Sequence, residues 1–405
     1  MILSLLLLLL GLTSTLGTRT ALAQFQTQSV DSPFLVEYVY LSDCILALTL
    51  IYLLVRKAIP RNIVIITSSI TTGAALLSLD DPYPILGYLA TVRLGITALV
   101  ISSVVRLGQF RWVFWGFVAG IVFQIGIATT QMIRQSSIGL QLLGESVFNS
   151  TLAGRAKIEL WGRTLVRVPG LYSHPNVFAG AVLVASLGVF QSYAPKIIPW
   201  IIVATLFLLM KIDHYLISYV QGIWIAGTAI GLTLNPPAIT IPKSAIVPLF
   251  ALINGILFLT GSKSVLGLAI LIQLTFLTIW AGRKMFHVEH FQKPWTWMSF
   301  PITTFTFLGL VLGAPWVIEL TTIQNRIFFV NQTLSILSTQ WLFGVGLSQF
   351  VAALPPGLPL WRYEPVHNIP LLITAELGVI GLLAWISLIL LWCYTLIKQS
   401  HATSK

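Results

Sequence analysis

Long apolar segments separated by short polar links run through almost the whole chain. A helix needs about 20 residues to cross a bilayer, and tilt or local thinning can make up for a shorter segment. The candidate spans cover residues 2–16, 38–55, 63–79, 85–105, 112–133, 177–192, 197–210, 215–234, 245–259, 265–281, 295–312 and 371–396. This pattern predicts an all-α polytopic membrane protein with about twelve transmembrane helices, in which residues 1–405 form a single integral-membrane domain.

The composition agrees with a membrane protein. Only 9% of the 405 residues are charged and 56% are hydrophobic, whereas a soluble domain has roughly 25% charged residues. The net charge of +11 is typical of basic residues at cytoplasmic helix ends, so nucleic acid is not expected as a partner. Cys44 and Cys393 lie in apolar segments at opposite ends of the chain, which argues against a disulfide framework or a Cys-ligated metal site.

The charges of the short links predict the orientation of the helices. The links around Arg56 and Arg106 are basic, which favours the cytoplasmic side, whereas the link at residues 80–82 is acidic. Alternation then places both termini in the cytoplasm. It also predicts two long external segments, residues 134–176 and residues 313–368.

The first apolar segment is followed by Ala21-Leu-Ala-Gln24, which resembles a signal-peptidase site. A signal peptide carries basic residues before its apolar run, but no Lys or Arg precedes this one. The sequence therefore predicts an uncleaved first helix.

Arg93 lies inside the fourth candidate span. A charge at this depth is costly unless it pairs with another group or reaches water. We expect Arg93 to snorkel to the surface or to pair with Asp80 or Asp81.

About half of the basic residues fall in predicted external segments, which the positive-inside rule disfavours in short loops. They include Arg155, Lys157, Arg163, Arg167, Lys263, Arg326 and Arg362. Such a cluster favours an anionic ligand, with phosphate the best match for these cations. The alternative is local pairing with Glu145, Glu159, Glu319 and Glu364.

Two short motifs near predicted outer helix ends carry side chains suited to chemistry. His367 precedes Asn368 at the start of the last span, and a histidine there could take a proton from a hydroxyl. Asn368 could orient that hydroxyl, or it could simply cap the helix. Lys263, between two serines at a break in the apolar pattern, would contact an anion or snorkel to the interface.

Arg326 begins a segment of mixed polarity, residues 327–342, which predicts an amphipathic helix lying along the membrane interface. Arg326 itself could contact a lipid headgroup or pair with Glu319. Trp341 and Trp361, in the same external region, could stack on a sugar ring.

Other polar residues at helix ends have simpler interpretations. Asn176 is expected to cap the helix that follows His174-Pro-Asn176, with His174 as a turn residue. Glu376 is expected to pair with a basic residue. His287 and His290 lie three residues apart without an evident third ligand, so no metal site and no cofactor are predicted.

Six short motifs follow one another over about residues 160–390. They are Arg167-Val-Pro-Gly-Leu-Tyr-Ser-His-Pro-Asn176, Thr260-Gly-Ser-Lys-Ser264, Asn325-Arg326, Gly344-Val-Gly346, His367-Asn368 and Glu376-Leu-Gly378. In this order and spacing they resemble the O-antigen ligase and polymerase superfamily. The resemblance implies a GT-C-like, lipid-donor glycosyltransferase bundle with external loops.

Members of that family move a glycan from undecaprenyl diphosphate to an acceptor at the outer, periplasmic face of the cytoplasmic membrane, without metal or nucleotide. The resemblance implies that His367 activates the acceptor hydroxyl. It implies that Arg326, Lys263 and Arg167 contact the diphosphate, although many members have arginine where this chain has Lys263, and lysine lacks the bidentate fork. The supporting residues are Asn368, Asn176, His174 and Glu376.

The motifs do not separate a ligase, which uses a glycan, lipid or protein acceptor, from a polymerase of the lipid-linked repeat unit. A flippase for lipid-linked sugars is an alternative of another class, and it would place charges deep within several spans and contain broken helices. A non-catalytic scaffold would leave His367 and the cations unexplained.

Overall fold

The computed structural model describes most of the chain, and the statements below concern that part. The described residues are 1–27, 30–77, 83–149, 157–160, 163–172, 174–190, 201–202, 220–235, 246–260, 262, 265, 267, 269–270, 272–273, 320–359, 362–366 and 368–402.

Helices make up most of the described structure. They are α1 (Ile2–Thr13), α2 (Leu41–Val55), α3 (Arg61–Leu77), α4 (Pro84–Arg106), α5 (Phe110–Arg134), α6 (Pro175–Phe190), α7 (Val220–Leu234), α8 (Ile246–Leu259), α9 (Leu320–Gln340) and α10 (Ile369–Ala402), with a 3₁₀ turn at Gln141–Leu143. These positions follow the apolar segments closely. The predicted spans at 197–210 and 295–312 lie largely or wholly outside the described residues.

The prediction of an all-α fold was wrong, because the described residues include two antiparallel hairpins. Strands β1 (Arg19–Thr27) and β2 (Val30–Tyr40) pair between α1 and α2. Strands β3 (Lys157–Leu160) and β4 (Arg163–Val166) pair within the segment 134–176. The β2 sequence is rich in valine and aromatic residues, which favour strands, so the fold is mostly helical rather than wholly helical.

Three of the described helices are long and apolar enough to cross a membrane. They are Pro84–Arg106, Phe110–Arg134 and Ile369–Leu396. Four shorter apolar helices accompany them: Ile2–Thr13, Leu41–Val55, Pro175–Val189 and Trp224–Leu234. The lengths and compositions of these helices are those of a membrane protein.

Helix α1 packs against α5 through glycine. A Cβ added to Gly116 would lie 2.0 Å from the carbonyl oxygen of Leu8, and one added to Gly120 would lie 2.2 Å from Oγ1 of Thr15. Further along α5, Nε2 of Gln124 donates to the carbonyl oxygen of Thr15 at 2.7 Å. The two helices therefore run in the same direction, as the first and fifth spans of an alternating bundle do.

Segments that the link charges assign to the outside meet at one end of the bundle, which we call the outer end. Nε of Arg167 donates to the carbonyl oxygen of Thr260 at 2.8 Å. Nε2 of Gln349 donates to the carbonyl oxygen of Tyr83 at 2.8 Å. The outer end is thus defined by Tyr83, Arg167, Thr260 and Gln349.

The ends assigned to the inside meet at the opposite end of the bundle. Nδ2 of Asn235 approaches the carbonyl oxygen of Val105 at 3.4 Å, and Nε1 of Trp392 donates to Oγ1 of Thr233 at 2.9 Å. Helix ends that contact each other in the structure are therefore ends that the alternating link charges assign to the same side.

Arg93 pairs with two carboxylates of the first hairpin and α2. Its Nη2 lies 2.8 Å from Oε1 of Glu37 and also donates to the carbonyl oxygen of Tyr38, while Nε donates to both carboxylate oxygens of Asp43. Burial raises the pKa of Glu37, and Arg93 partly offsets this rise. The predicted partners Asp80 and Asp81 lie outside the described residues.

Candidate functional site

Arg167 joins two of the motif-bearing segments. Besides Thr260, its guanidinium donates through Nη2 to the side-chain oxygen of Asn176. Thr260 ends the turn after α8 and begins the Thr-Gly-Ser-Lys-Ser motif, and its Oγ1 accepts a hydrogen bond from the amide of Ser262 at 3.2 Å. Arg167 therefore fixes the residue that directly follows α8.

His174, rather than Asn176, caps α6. Nδ1 of His174 accepts a hydrogen bond from the amide of Asn176 at 3.2 Å, and its carbonyl oxygen accepts from Val177 and Phe178. Pro175 is the first helical residue, where its missing N–H costs nothing. The predicted cap at Asn176 was therefore wrong by two positions, and the Asn176 side chain is used to hold Arg167.

Two buried glutamines of α5 fix the segment 134–176, and the sequence interpretation did not single them out. Gln131 donates to Glu145 and exchanges hydrogen bonds with the backbone of Gly170. Gln124 accepts from the amide of Leu171 at 2.7 Å. Uncharged polar residues inside an apolar span were the available signal, because such groups need partners away from water.

Glu145 organises the start of the same segment. Its two carboxylate oxygens accept hydrogen bonds from the amides of Ile138 and Leu140 at 2.7 Å each. Glu145 is buried, so these bonds offset the cost of removing the carboxylate from water. The described contacts of Glu145 thus shape the loop.

Helix α10 is broken at Gly378. Gly378 has φ 66° and ψ −169°, a backbone conformation that is open almost only to glycine. After the break, the amide of Val379 donates to the carbonyl oxygen of Trp341 at 2.9 Å. The turn at residues 341–346 therefore supplies acceptors that the broken helix lacks.

The Gly-Val-Gly turn donates hydrogen bonds to carbonyl groups on the other side of the break. The amides of Val345 and Gly346 donate to the carbonyl oxygens of Ala375 and Glu376 at 2.9 Å and 2.8 Å. Gly344 has φ 73°, and a Cβ there would lie 2.4 Å from the carbonyl carbon of Glu376. Two motifs that are separate in the sequence are thus joined through their backbones.

Glu376 also uses its side chain to hold this region. Oε1 of the buried carboxylate accepts a hydrogen bond from the amide of Phe350 at 3.3 Å. Phe350 belongs to a small core with Phe329 of α9 and Tyr363. This described hydrogen bond makes Glu376 an anchor for the segment around Phe350, and its predicted pairing with a basic residue stays a prediction.

Asn368 caps α10. Its Oδ1 accepts from the amide of Leu371 at 3.1 Å, and its carbonyl oxygen accepts from Leu372 at 2.8 Å. The capping interpretation is confirmed. The amide of Asn368 also donates to the carbonyl oxygen of Val366 at 2.8 Å.

Of the cations and the base predicted for the site, the structure describes some and not others. Arg326 is exposed on α9. Arg362, in the same external region, lies with its guanidinium carbon 4.6 Å from the ring centre of Phe328. Lys263 and His367 lie outside the described residues, and their convergence with Arg326 stays a prediction.

The structure thus brings the site residues together in two groups. The first contains Arg167, His174, Asn176 and the turn at Thr260. The second contains the Gly-Val-Gly turn and Glu376, and Asn368 caps the start of the helix that carries Glu376. Among the described residues, no group of three His, Cys, Asp or Glu side chains is placed to hold a metal ion.

Comparison of the chain with protein-family models, with curated proteins and with solved structures finds no match.

Proposed function

We propose that this protein is a membrane glycosyltransferase of the O-antigen ligase type, which transfers a glycan from undecaprenyl diphosphate to an acceptor hydroxyl. The proposal rests on the meeting of the motif-bearing segments in the fold. Arg167 is bonded to Thr260 at the start of the Thr-Gly-Ser-Lys-Ser motif, and the Gly-Val-Gly turn is bonded to the Glu-Leu-Gly motif. A shared site requires such contacts, because the base and the cations come from different segments.

In this proposal the chain forms a GT-C-like bundle of about twelve spans. The bundle lies in the cytoplasmic membrane, with both termini inside and the outer end facing the periplasm. The three long apolar helices support a membrane location, and the contacts at each end of the bundle fit the alternation. Labelling of single cysteines with a membrane-impermeant reagent in intact cells would test the orientation.

The proposed reaction is a displacement at the anomeric carbon. The acceptor hydroxyl attacks the face opposite the diphosphate, and His367 takes the hydroxyl proton. The glycosidic C–O bond breaks, and its electron pair leaves with undecaprenyl diphosphate, so the anomeric configuration is inverted. Lys263 and Arg326 stabilise the charge that grows on the leaving group. The diphosphate leaves readily, and the scheme uses neither metal nor cofactor.

Arg167 has a positioning role in this scheme. Its described hydrogen bonds go to a backbone carbonyl and to the Asn176 side chain, which supports a role in holding the turn before Lys263. The diphosphate contact implied by the resemblance falls mainly to Lys263 and Arg326.

A transfer assay with membranes, lipid-linked donor and acceptor tests the proposal. His367→Ala should lower the rate at least about 100-fold, because a general base contributes roughly that much. His401→Ala serves as the matched control and should keep its rate, because His401 lies near the C-terminal end of α10 and the proposed base precedes the N-terminal end of that helix. Full transfer by His367→Ala would exclude the assigned base.

Lys263 has its own test in the same assay. Lys263→Ala should raise the donor concentration needed for half-maximal rate, and Lys263→Arg should restore it because the charge is kept. Unchanged donor dependence in the alanine variant would remove Lys263 from the diphosphate site.

A polymerase of the lipid-linked repeat unit uses the same chemistry with a different acceptor. Glycan profiling of a deletion strain separates the two activities. Long chains that remain unattached indicate a ligase, whereas loss of chain length indicates a polymerase.

A flippase for lipid-linked sugars is the second candidate, since α10 is broken at Gly378 and Arg93 lies inside α4. In transporters, such helix ends face a substrate. Here the backbone groups beside the break bond to the turn at residues 341–346, and Arg93 is paired with carboxylates, so the glycosyltransferase is the better supported. Translocation of lipid-linked sugar by proteoliposomes lacking acceptor would favour the flippase.

A further inference from the structure

Helix α9 has two apolar faces, and among the described residues only one of them packs against protein. Phe329 and Thr333 are fully buried. A second set of apolar residues recurs at intervals of three and four on another face of the helix. We call it the outer stripe; it consists of Ile327, Val330, Leu334, Leu337 and Trp341.

The outer stripe is open in the folded chain. The side chains of Ile327, Leu334 and Trp341 are 55%, 56% and 58% exposed. At 100° per residue the stripe is turned by roughly 120° from the buried face. A helix presents two such faces when it lies between two apolar environments, one of them formed by its own protein.

Helix α9 is long enough to cross a bilayer but is not composed to do so. Its 21 residues extend over about 31 Å at 1.5 Å per residue. Exposed polar residues, among them Gln324, Asn331 and Ser335, occupy a third face. α9 is not among the described helices that qualify as membrane spans. A long helix with one exposed apolar stripe beside a polar face is typical of a helix in the plane of the membrane surface.

The outer stripe continues into the exposed surface of α10. Leu342 and Phe343, which follow Trp341, are 37% and 50% exposed. The amide of Ile380 contacts the carbonyl oxygen of Leu342 at 3.4 Å, and the Ile380 side chain is exposed on α10. The turn thus connects the stripe to the apolar side of a candidate span, whose environment in a membrane is lipid.

From these contacts we propose that the outer stripe and residues 341–343 bind bilayer lipid at the membrane surface. The helix axis lies in the plane of the interface, the stripe enters the acyl-chain boundary, and the face with Ser335 meets water. Trp341 sits where tryptophan is enriched in membrane proteins, at the boundary between headgroups and acyl chains. This inference concerns placement in the membrane and does not depend on the proposed reaction.

Spin labelling tests the proposal with adjacent positions of α9. The chain has two cysteines, so Cys44→Ser and Cys393→Ser give a background for a single label. Leu334→Cys places the label on the stripe, and Ser335→Cys is the matched control on the polar face. The labelled full-length protein is reconstituted in phosphatidylcholine vesicles, and the accessibility of each label to oxygen and to a water-soluble nickel complex is measured.

The lipid assignment predicts opposite behaviour at the two positions. The label at Leu334→Cys should be relaxed several-fold more by oxygen than by nickel, and the label at Ser335→Cys should show the reverse. Equal exposure of both labels to nickel would overturn the proposal. Spin–spin broadening at Leu334→Cys that disappears on dilution with unlabelled protein would overturn it too, because a second copy would then cover the stripe. Repeating the measurement with Ile327→Cys checks that a second position on the stripe behaves like Leu334→Cys.

Discussion

Gly378 approaches Leu342 so closely that a Cβ added to the glycine would lie 2.0 Å from the leucine carbonyl oxygen. This contact places the turn at residues 341–346 against the break of α10. The Gly-Val-Gly and Glu-Leu-Gly motifs are therefore two halves of one structural unit.

Replacing Gly378 by alanine should destabilise this unit. The φ of 66° and ψ of −169° cost a non-glycine residue about 1–3 kcal/mol, and the clash with Leu342 adds to this cost. Thermal unfolding in detergent measures the effect. Gly126→Ala in α5 is the matched control, because a Cβ there meets nothing within 4 Å. Equal stability of the two variants would contradict the tight junction.

Arg93→Ala should be strongly destabilising. The Arg93 side chain is only 14% exposed, and those of Glu37 and Asp43 are 11% and 20% exposed. Removing one partner of a buried pair costs about 3 kcal/mol or more, because a charge is left without compensation. Arg56→Ala, at an exposed arginine, should be near neutral. If both variants unfold at the same temperature, the ion pair has no structural role.

Glu37 predicts a specific pH dependence of stability. Burial raises its pKa above 4.5 in the folded protein, so the folded state holds this proton to higher pH than the unfolded state does. Between 4.5 and the raised value, the contribution of Glu37 to the free energy of unfolding should fall as pH rises.

The Glu37→Gln variant isolates this contribution. Thermal unfolding of both proteins is followed across the pH range, and the difference between them should show the wild type losing stability relative to the variant as pH rises. Neighbouring Arg93 and Asp43 remain in both proteins. A difference of opposite sign would mean that pairing with Arg93 outweighs burial and lowers the pKa.

Gln131→Ala should loosen the segment 134–176. The change removes hydrogen bonds to Glu145 and to Gly170 and leaves buried polar groups without these partners, at a cost of about 1–3 kcal/mol. Limited proteolysis should cut this segment faster than in the wild type. Gln324→Ala, at an exposed position of α9, should be cut like the wild type. Unchanged protection of the Gln131 variant would contradict the anchoring role.

The sequence predicted the helices well and the tertiary contacts poorly, for physical reasons. The predicted span 112–133 corresponds to the helix Phe110–Arg134, because a continuous apolar run near bilayer length has few structures other than a helix open to it. Where the strands Arg19–Thr27 and Val30–Tyr40 lie, the sequence predicts a link and the start of a span, since a short alternating pattern gives a weak signal beside long apolar runs.

Individual polar partners could not be read from local spacing. Arg93 pairs with residues that lie 50 or more positions away, whereas the nearer acidic residues Asp80 and Asp81 lie outside the described part of the chain. The side chains of His174 and Asn176 both carry an acceptor that could cap the helix. Only the hydrogen bond from the Asn176 amide to His174 identifies His174 as the cap. The break at Gly378 depends on a turn from another part of the chain, which no pattern within α10 reveals.

The distances among positions 263, 326 and 367 test the central claim most directly. Spin labels are placed in pairs at these positions through Lys263→Cys, Arg326→Cys and His367→Cys in the cysteine-free background, and dipolar spectroscopy measures each separation in vesicles. One shared site at the outer end predicts short separations for all three pairs, comparable to the reach of the labels. Separations of tens of ångströms, or labels accessible from opposite sides of the membrane, would contradict it.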